Sequence, residues 1–382
     1  MQLEERMNQS NGLKIVPISS RKQMRQFINL PWQIYSDDPI WIPPLKKSIS
    51  DLLNRKKHPF WQCAHGELFL ATRNGEVVGR IVALIDSNYN KHHQEKSGAW
   101  GFFECTNDPE AAAALFNTAE AWVKARGMDQ IRGPFNPSTN YEIGTLIQGF
   151  KKVPALMMTY NPSYYPELIY NAGYRKEKDI LSFRITHDFV VPQWIHDLSD
   201  KLLAQNNITI RCPQKWRRED IRLLCSIYHE CWSTNWGFVP TTEAEEDELA
   251  KNLLFLIEPE LAFFVYYGDE PVGIGLMVPD YNPLLKRFNG KLGLSALIKK
   301  FLYEKEVVGL RGLLFGVKDR YRQMGLHLVS VTHVVEVIKR KQKYQYAEMG
   351  WNLEDNEAIN LLYTECGLHP DKRYRIYRKP LN

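Results

Sequence analysis

One short stretch of the chain, GVKDRYRQMGLHL at residues 316–328, has the residue types of an anion-binding turn. It follows the apolar run LLFGV and precedes a stretch whose apolar residues recur at helical spacing. The first N–H groups of a helix lack internal partners and lie at the positive end of its dipole, and glycine lets a phosphate approach the backbone. The pattern predicts a phosphate-holding loop; the alternative is an ordinary basic turn before a helix.

A second stretch, YAEMGWNLEDNEAINLLYTECGL at residues 346–368, carries groups that could move protons. Asn356 and Tyr363 are seven residues apart, about two helical turns, so they share a face of a helix. A tyrosine can give up a proton, and Glu348 in the preceding strand could accept one directly or through water. The alternatives are a packing role for Tyr363 and a solvent-facing Glu348. Asp280 in PDYNP is a second candidate base, with a turn residue as its alternative.

The elements that must position these groups occur twice along the 382 residues, a length that suits two domains. The first half reads as a strand, a hairpin turning at Asn74-Gly75, a helix over 108–127 and a closing strand over 178–185. The second half reads as a strand over 208–212, a helix over 218–232 and a hairpin turning at Gly268-Asp269. A strand over 311–317, a helix from 325 to about 340 and a closing strand over 373–379 follow.

The two halves also match in detail, because NGEVVGRIVALIDSNYN aligns with GDEPVGIGLMVPDYN. We therefore predict a fold repeated in tandem, over residues 1–190 and 191–382. The alternative is that any two α+β halves share hairpins and helices.

The loop RYRQMG after a central strand resembles the Gln/Arg-x-x-Gly-x-Gly/Ala loop of the GNAT superfamily of acyl-CoA-dependent N-acyltransferases. The stretch around Asn356 and Tyr363 resembles the Asn-x-x-Ala-x-x-x-Tyr-x-x-x-Gly-Phe signature of the same superfamily, whereas His327 departs from the usual Gly or Ala. The resemblance implies an α/β (α+β) fold of two tandem GNAT-like domains, each a mixed twisted sheet flanked by helices.

The resemblance also implies roles for individual residues. Backbone N–H groups around Gly316 and Val317 would hold the acyl oxygen, and Tyr363 would protonate the CoA thiolate. The resemblance leaves the base open between Glu348 and Asp280. Residues implied to bind acetyl-CoA, or another acyl-CoA, are Gly316, Val317, Arg322, Gln323, Met324, Gly325, Leu326, His327 and Asn356. Residues expected to line the acceptor pocket are Asn140, Tyr141, Glu142, Asn235, Trp236, Asp280 and Tyr281.

The first half lacks a phosphate loop at the corresponding place. It has ECTNDPEAAAALF at residues 104–116, without glycine, where Asp108 caps the helix and Glu110 adds a second negative charge. Like charges would repel a pyrophosphate. We expect the first domain to serve as scaffold and substrate wall and the second to bind CoA.

The sequence thus predicts a cytoplasmic N-acetyltransferase, monomeric or homodimeric, that acts on a small-molecule or peptide amine. A non-catalytic acyl-CoA-binding or interaction protein of the same fold is the alternative; a relative of the Fem-type or N-myristoyl transferases is a third reading. Basic residues are too scattered for nucleic acid, and the longest apolar runs are too short to span a membrane, so neither is an expected partner. The six cysteines form no CxxC pair, so no metal site is expected.

Overall fold

The computed structural model describes residues 12–205 and 207–381. It divides into two compact units. Unit 1 comprises the described part of Met1–Asp179 together with Phe288–Gly293 and Arg373–Asn382, and unit 2 comprises Ile180–Arg287 and Leu294–Lys372.

Most elements fall in one unit. The strands of unit 1 are β1 (Leu13–Pro17), β2 (Ala64–Arg73), β3 (Glu76–Asp86), β4 (Ser97–Cys105), β5 (Gln130–Gly133), β6 (Phe135–Asn136), β7 (Glu142–Ile143) and β8 (Thr145–Gln148). Its helices are α1 (Arg21–Ile34), α2 (Lys46–Leu52), α3 (Ser87–His93), α4 (Pro109–Lys124) and α5 (Tyr165–Asn171).

Two strands pass from one unit to the other. In β9 (Arg175–Thr186) the residues after Asp179 belong to unit 2, and in β15 (Pro370–Pro380) the residues after Lys372 belong to unit 1. The sequence predicts that each half closes on its own last strand, and the structure shows an exchange instead. Both strands contain charged as well as apolar residues, and this composition does not specify which strand lies beside them. The first crossing lies between Asp179 and Ile180, within β9, eleven residues before the expected boundary at 190.

The remaining elements belong to unit 2. They are α6 (Gln193–Gln205), β10 (Ile208–Arg211), α7 (Arg218–Trp232), α8 (Glu243–Leu253), β11 (Ala262–Tyr267), β12 (Glu270–Pro279), α9 (Asn282–Phe288), α10 (Leu294–Tyr303), β13 (Gly309–Val317), α11 (Leu326–Lys341), β14 (Tyr346–Leu353) and α12 (Glu357–Glu365).

The strand orders show the repeat. Unit 1 has the order β1-β2-β3-β4-β5-β15, and β8 also pairs with β15. Unit 2 has the order β9-β14-β13-β12-β11-β10. In each sheet one central pair is parallel, β4 with β5 and β13 with β14, and the pairs on both sides are antiparallel. The predicted mixed sheet flanked by helices is confirmed in both units.

Local sequence explains the main turns and caps. Asn74 and Gly75 both have positive φ, 53° and 89°, as the tight turn of the β2–β3 hairpin requires. Asp108 caps α4 by accepting a 3.0 Å hydrogen bond from the N–H of Ala111, and Pro109 is the first helical residue. These features were readable from the sequence.

Helix α11 packs on two sides rather than one. Leu326, Val329 and Val337 contact the core of the unit 2 sheet. Leu328 belongs to a separate cluster with Val191 and Ile195 from the segment around α6, and Val335 packs against that cluster. Leu328 and Val335 therefore lie on the side of α11 that meets the segment around α6. Among the described helices, none combines the length and apolar character needed to cross a membrane.

Candidate functional site

The central feature of unit 2 is a gap between its two parallel strands. Strands β13 and β14 pair over Gly309–Gly312 and Tyr346–Met349. Beyond Met349, β14 continues along β9, whereas β13 continues along β12 to Val317. The extra residue Leu313 bulges between the Leu314 and Gly312 pairings with β12, which bends β13 at the point of divergence. The two strands thus open a groove, which we call the unit 2 groove.

Two backbone N–H groups of β13 point towards this groove. The N–H of Lys318 donates to the carbonyl of Val272 on β12 at 2.9 Å. Because N–H groups alternate between the two sides of a strand, Gly316 also faces β12, and Phe315 and Val317 face the other side. Of the two predicted oxyanion donors, Val317 is oriented for that role and Gly316 is committed to the sheet.

The predicted phosphate loop follows directly. Residues Asp319–Met324 form a turn of 3₁₀ helix, Gly325 has φ +76°, and α11 begins at Leu326. A positive φ favours glycine at this position. The first N–H groups of α11, those of Leu326 and His327, have no partner within the helix. The predicted strand, glycine turn and helix start are all present.

The basic side chains of the loop are occupied by carboxylates. Lys318 bridges Glu230 at 3.1 Å, and Arg320 pairs with Glu270. The loop therefore offers an anion its backbone N–H groups more than free positive charge.

Arg322 lies against the end of α7. Its guanidinium donates to the carbonyl of Cys231 at 2.7 Å and bridges Asp319 at 2.8 Å. It ties the loop to that helix. Of the other predicted loop residues, Gln323 and His327 are exposed, and Met324 is half-buried. Desolvation lowers the pKa of the His327 imidazole, which favours its neutral form at pH 7.

The predicted helix over the second motif is α12, and Asn356 is its N-cap residue. The Asn356 side chain is exposed and makes no capping hydrogen bond, so its amide can reach a ligand. The ring of Tyr363 stacks on Phe183 of β9 with centroids 4.3 Å apart and planes at 11°. Burial raises the pKa of Tyr363, and the nearby Arg311 opposes that rise. Its phenol is protonated at neutral pH, as a proton donor must be.

Glu348 lies in a fully buried ion pair. Its carboxylate accepts from the ammonium of Lys372 at 2.8 Å on both oxygens and from the hydroxyl of Ser182 at 2.8 Å. Neither Glu348 nor Lys372 exposes any side-chain surface. A carboxylate held this way would have to break the pair to accept a proton. The solvent-facing alternative for Glu348 is wrong, and the geometry favours a structural role.

Asp280, the other candidate base, is also buried and bonded. It accepts from the Tyr346 hydroxyl at 3.0 Å and from the N–H of Asn282 at 3.2 Å, while its own N–H donates to Gly309. It fixes the end of β12 against β13 and β14. The neighbouring Tyr281 is half-buried, and burial raises its pKa.

Asn235 and Trp236 lie in the turn after α7, both partly buried. The Asn235 N–H donates to the carbonyl of Trp232 at 2.8 Å. Trp232 itself covers Gly316, where an added Cβ would lie only 2.1 Å from the indole ring. Packing against Trp232 therefore favours glycine at position 316.

The remaining predicted acceptor residues belong to unit 1. Asn140 and Glu142 are partly buried, and burial raises the pKa of Glu142. Tyr141 packs edge-on against Phe60, with centroids 6.1 Å apart. Val317, Gly325, Asn356 and Tyr363 all belong to unit 2, whereas Asn140, Tyr141 and Glu142 belong to unit 1.

Unit 1 fills the corresponding groove with its own chain. Strands β4 and β5 pair only over Ser97–Ala99 and Gln130–Arg132. Beside them, the carbonyl of Phe135 lies 1.7 Å from where a Cβ on Gly101 would be, and the Asn136 side chain accepts from the N–H of Phe102 at 2.6 Å. The segment β6 therefore occupies the place of a ligand.

The position in unit 1 that corresponds to Gly316 is Glu104. Arg80 pairs with Glu104 across β3 and β4, as Ile274 pairs with Gly316 across β12 and β13. The Glu104 carboxylate accepts from the hydroxyls of Tyr35 at 2.8 Å and Tyr165 at 2.7 Å. At the α4 terminus, Arg73 bridges Asp108 at 2.9 Å and Glu110 at 2.8 Å. The strand end and the helix start of unit 1 are thus both occupied by contacts within the chain.

Several residues at the unit 2 groove were not anticipated. Arg311 is a charged residue within an apolar strand, which is a readable signal, and its guanidinium bonds the backbone carbonyl of Gly312. Phe183 and Lys372 come from the exchanged strands or their borders, so spacing along the sequence could not reveal them. Within the described residues, no cluster of three or more His, Cys, Asp or Glu side chains could hold a metal ion.

Comparison with known proteins gives the context of this groove. No family model matches the chain. It is 32% identical over 374 residues to Protein YghO of Escherichia coli (strain K12), covering 95% of this chain and 94% of that protein. It is 31% identical over 379 residues to a bacterial ceramide synthase of Caulobacter vibrioides (strain NA1000 / CB15N), covering 97% and 98%.

Solved structures show the same fold at much lower identity. A tandem GNAT protein from the clavulanic acid biosynthesis pathway aligns with a TM-score of 0.57 and 11% identity, covering 97% of this chain and 99% of its own. A GCN5-related N-acetyltransferase from Sphaerobacter thermophilus aligns with a TM-score of 0.53 and 14% identity, covering 97% and 96%. The chain therefore has the fold of the tandem GNAT proteins, and it belongs to the family that includes Protein YghO and the bacterial ceramide synthase.

Proposed function

We propose that the protein is an acyl-CoA-dependent N-acyltransferase whose unit 2 groove binds the acyl donor. The observation that supports this most directly is the divergence of β13 from β14 just ahead of Gly325. The divergence leaves the Val317 N–H facing an open edge, and the helix start after Gly325 provides N–H groups for phosphates. Unit 1, with its groove filled by β6, serves as scaffold.

The reaction can be written with this chain's own groups. The amine nitrogen attacks the thioester carbonyl, the N–C bond forms, and the carbonyl oxygen becomes an oxyanion that the Val317 N–H stabilises. The C–S bond then breaks, and the sulfur takes the proton of the Tyr363 hydroxyl. The nitrogen loses its extra proton to water, and water returns a proton to the Tyr363 phenolate. Glu348 and Asp280 are both engaged in buried contacts, so in this proposal the amine arrives unprotonated.

The relative named bacterial ceramide synthase bears on the acceptor. Its identity of 31% extends over nearly the whole of both chains, so both units are shared with that protein. On this ground we propose a long-chain amino alcohol as acceptor and a fatty acyl-CoA as donor. The sequence predicts acetyl-CoA with a small-molecule or peptide amine instead. The two donor–acceptor pairs can be compared directly.

The test measures amide formation by mass spectrometry with acetyl-CoA and palmitoyl-CoA, each offered sphinganine and a peptide amine. An amide from any of these pairs supports N-acyl transfer, and palmitoyl-CoA with sphinganine is the pair we expect. A chain that is stabilised by acyl-CoA yet forms no amide would instead support the non-catalytic binding protein.

The CoA site itself is tested with Gly325→Asp and its uncharged match Gly325→Asn. Asp and Asn both tolerate a positive φ, and a Cβ added at position 325 would meet only Leu202 Cδ1, at 3.4 Å. The carboxylate would repel a pyrophosphate at contact range, so Gly325→Asp should bind CoA at least about tenfold more weakly than Gly325→Asn in calorimetry. Equal affinity of the two variants would place the phosphates elsewhere.

A further inference from the structure

Helix α10 presents an apolar face to solvent. Ile298, Phe301 and Leu302 are 62%, 82% and 60% exposed, and their spacing of three and four residues puts them on one side of the helix. Single exposed apolar residues are common, but three large neighbours on one face mark an interaction surface. We call these three residues the α10 face.

The fold itself does not require this helix. It lies in the connection between β12 and β13, residues 280–308, which is about three times as long as the matching connection between β3 and β4, residues 87–96. Unit 1 completes the same sheet with only the short helix α3 at this place. The longer connection in unit 2 therefore carries something beyond the sheet.

Polar contacts hold α10 in place and leave its apolar face outward. The Lys299 ammonium donates to the carbonyl of Arg287 at 2.7 Å, and Arg287 bridges Glu306 at 2.9 Å. The Arg287 guanidinium also lies over the ring of Tyr303, 4.5 Å from its centroid. At the far end Val307 is buried. These contacts hold the side of α10 that carries Lys299 and Tyr303 against the rest of unit 2.

The charges around the helix indicate what covers the face. Residues 286–306 include six Lys or Arg and two Glu, and Lys300 and Lys305 are exposed. Lysine is depleted in the core of protein–protein interfaces, whereas helices that lie in a membrane interface combine Lys or Arg with Phe and Leu. At ten residues the helix is about 15 Å long, too short to cross a bilayer and long enough to lie along one.

We propose that α10 docks the protein on an anionic lipid bilayer, with Ile298, Phe301 and Leu302 inserted at the interface and lysines against the headgroups. The sequence predicts no membrane partner because its apolar runs are too short to span a bilayer. Binding to the surface of a bilayer does not require a spanning segment. Docking is a property of the folded surface and does not depend on the proposed reaction.

The test is co-sedimentation of the full chain with vesicles of phosphatidylcholine alone or mixed equally with phosphatidylglycerol. The wild type should bind the mixed vesicles, and Phe301→Ser should weaken that binding by about tenfold. Lys300→Glu should weaken binding to mixed vesicles by a similar factor. The matched control is Phe255→Ser, which removes a 71% exposed phenylalanine outside α10 and should leave binding unchanged.

Three results would overturn the proposal. They are absence of binding to the mixed vesicles, equal binding of wild type and Phe301→Ser, and a concentration-dependent dimer that Phe301→Ser dissolves without any vesicle binding. The last result would assign the face to a second copy of the chain. Gly325→Asp should keep vesicle binding, so failure of the CoA site and failure of docking are separable.

Discussion

At the scale of single residues, the structure distinguishes two side chains that the sequence offers as proton-transfer groups, Tyr363 and Glu348. Tyr363 is half-buried against Phe183, with Arg311 close enough to affect its pKa. Glu348, two residues from the point of divergence, is sealed in an ion pair with Lys372. A group that moves a proton needs access to the reacting atom, and only Tyr363 keeps exposed surface.

Tyr363→Phe should lower kcat by about a hundredfold and leave CoA affinity unchanged, because the thiolate loses its proton donor while packing on Phe183 is kept. Rate assays with the acceptor that gives an amide in the mass-spectrometry test, together with calorimetry of CoA, check both quantities. Tyr170→Phe, which alters an exposed tyrosine of unit 1, is the control and should match the wild type. An unchanged kcat in Tyr363→Phe would remove this residue from the reaction.

The pH profile tests the same residue independently. Burial raises the pKa of Tyr363, so the phenol stays protonated through the range in which a free tyrosine begins to ionise. We expect kcat/KM to rise with pH as the amine loses its proton, without a falling limb below about pH 10. A falling limb below that pH in the wild type that is absent from Tyr363→Phe would show a normal pKa and contradict the burial argument.

At the scale of elements, the two units share one strand arrangement, with an open groove in unit 2 and a filled one in unit 1. In unit 2, Gly316 leaves room for Trp232 above the strand, and β14 diverges without a segment taking its place beside β13 within the described residues. In unit 1, Glu104 replaces the glycine and β6 fills the gap. The two units therefore differ both in the residue near the end of the central strand and in the segment that lies beside it.

Gly316→Ala should destabilise the protein by about 1–3 kcal/mol, because the new Cβ would overlap the Trp232 ring and the ring must move. Chemical denaturation followed by fluorescence checks this. Adding Trp232→Leu should recover part of the loss, which a double-mutant cycle would record as coupling. Gly293→Ala, where an added Cβ meets nothing within 4 Å, should stay within about 0.5 kcal/mol of the wild type. Additive effects of Gly316→Ala and Trp232→Leu would argue against this contact.

The sequence was sufficient for local features and insufficient for partners distant along the chain. The Asn74-Gly75 turn, the Asp108 cap and the Gly325 helix start each follow from the conformational preferences of a few adjacent residues. The pairing of Lys372 with Glu348 depends on which strands become neighbours, and alternation within a strand does not specify its neighbour. For this reason the groove residues from β13 and α11 were predictable and those from β9 were not.

At the scale of the whole molecule, the exchanged strands make each unit depend on residues from the other half of the sequence. The last part of β15 pairs with β5 and β8, and its Arg375 binds the buried Asp179 at 2.7 Å. Tyr377, in the same part of β15, belongs to the unit 1 core. Unit 1 therefore completes its sheet only when the last residues are present.

The exchange predicts where a change near the end of the chain will act. Tyr377→Ala should cost about 3 kcal/mol of stability, since it removes a buried ring from the unit 1 core. In hydrogen exchange followed by mass spectrometry, the loss of protection should appear in β4, β5 and β8, far from residue 377 in sequence. Arg378→Ala, an exposed neighbour on the same strand, should leave the exchange pattern unchanged. A loss of protection confined to β13 and β14 would mean that β15 supports unit 2. That result would agree with the prediction from the sequence, in which the second half closes on its own last strand.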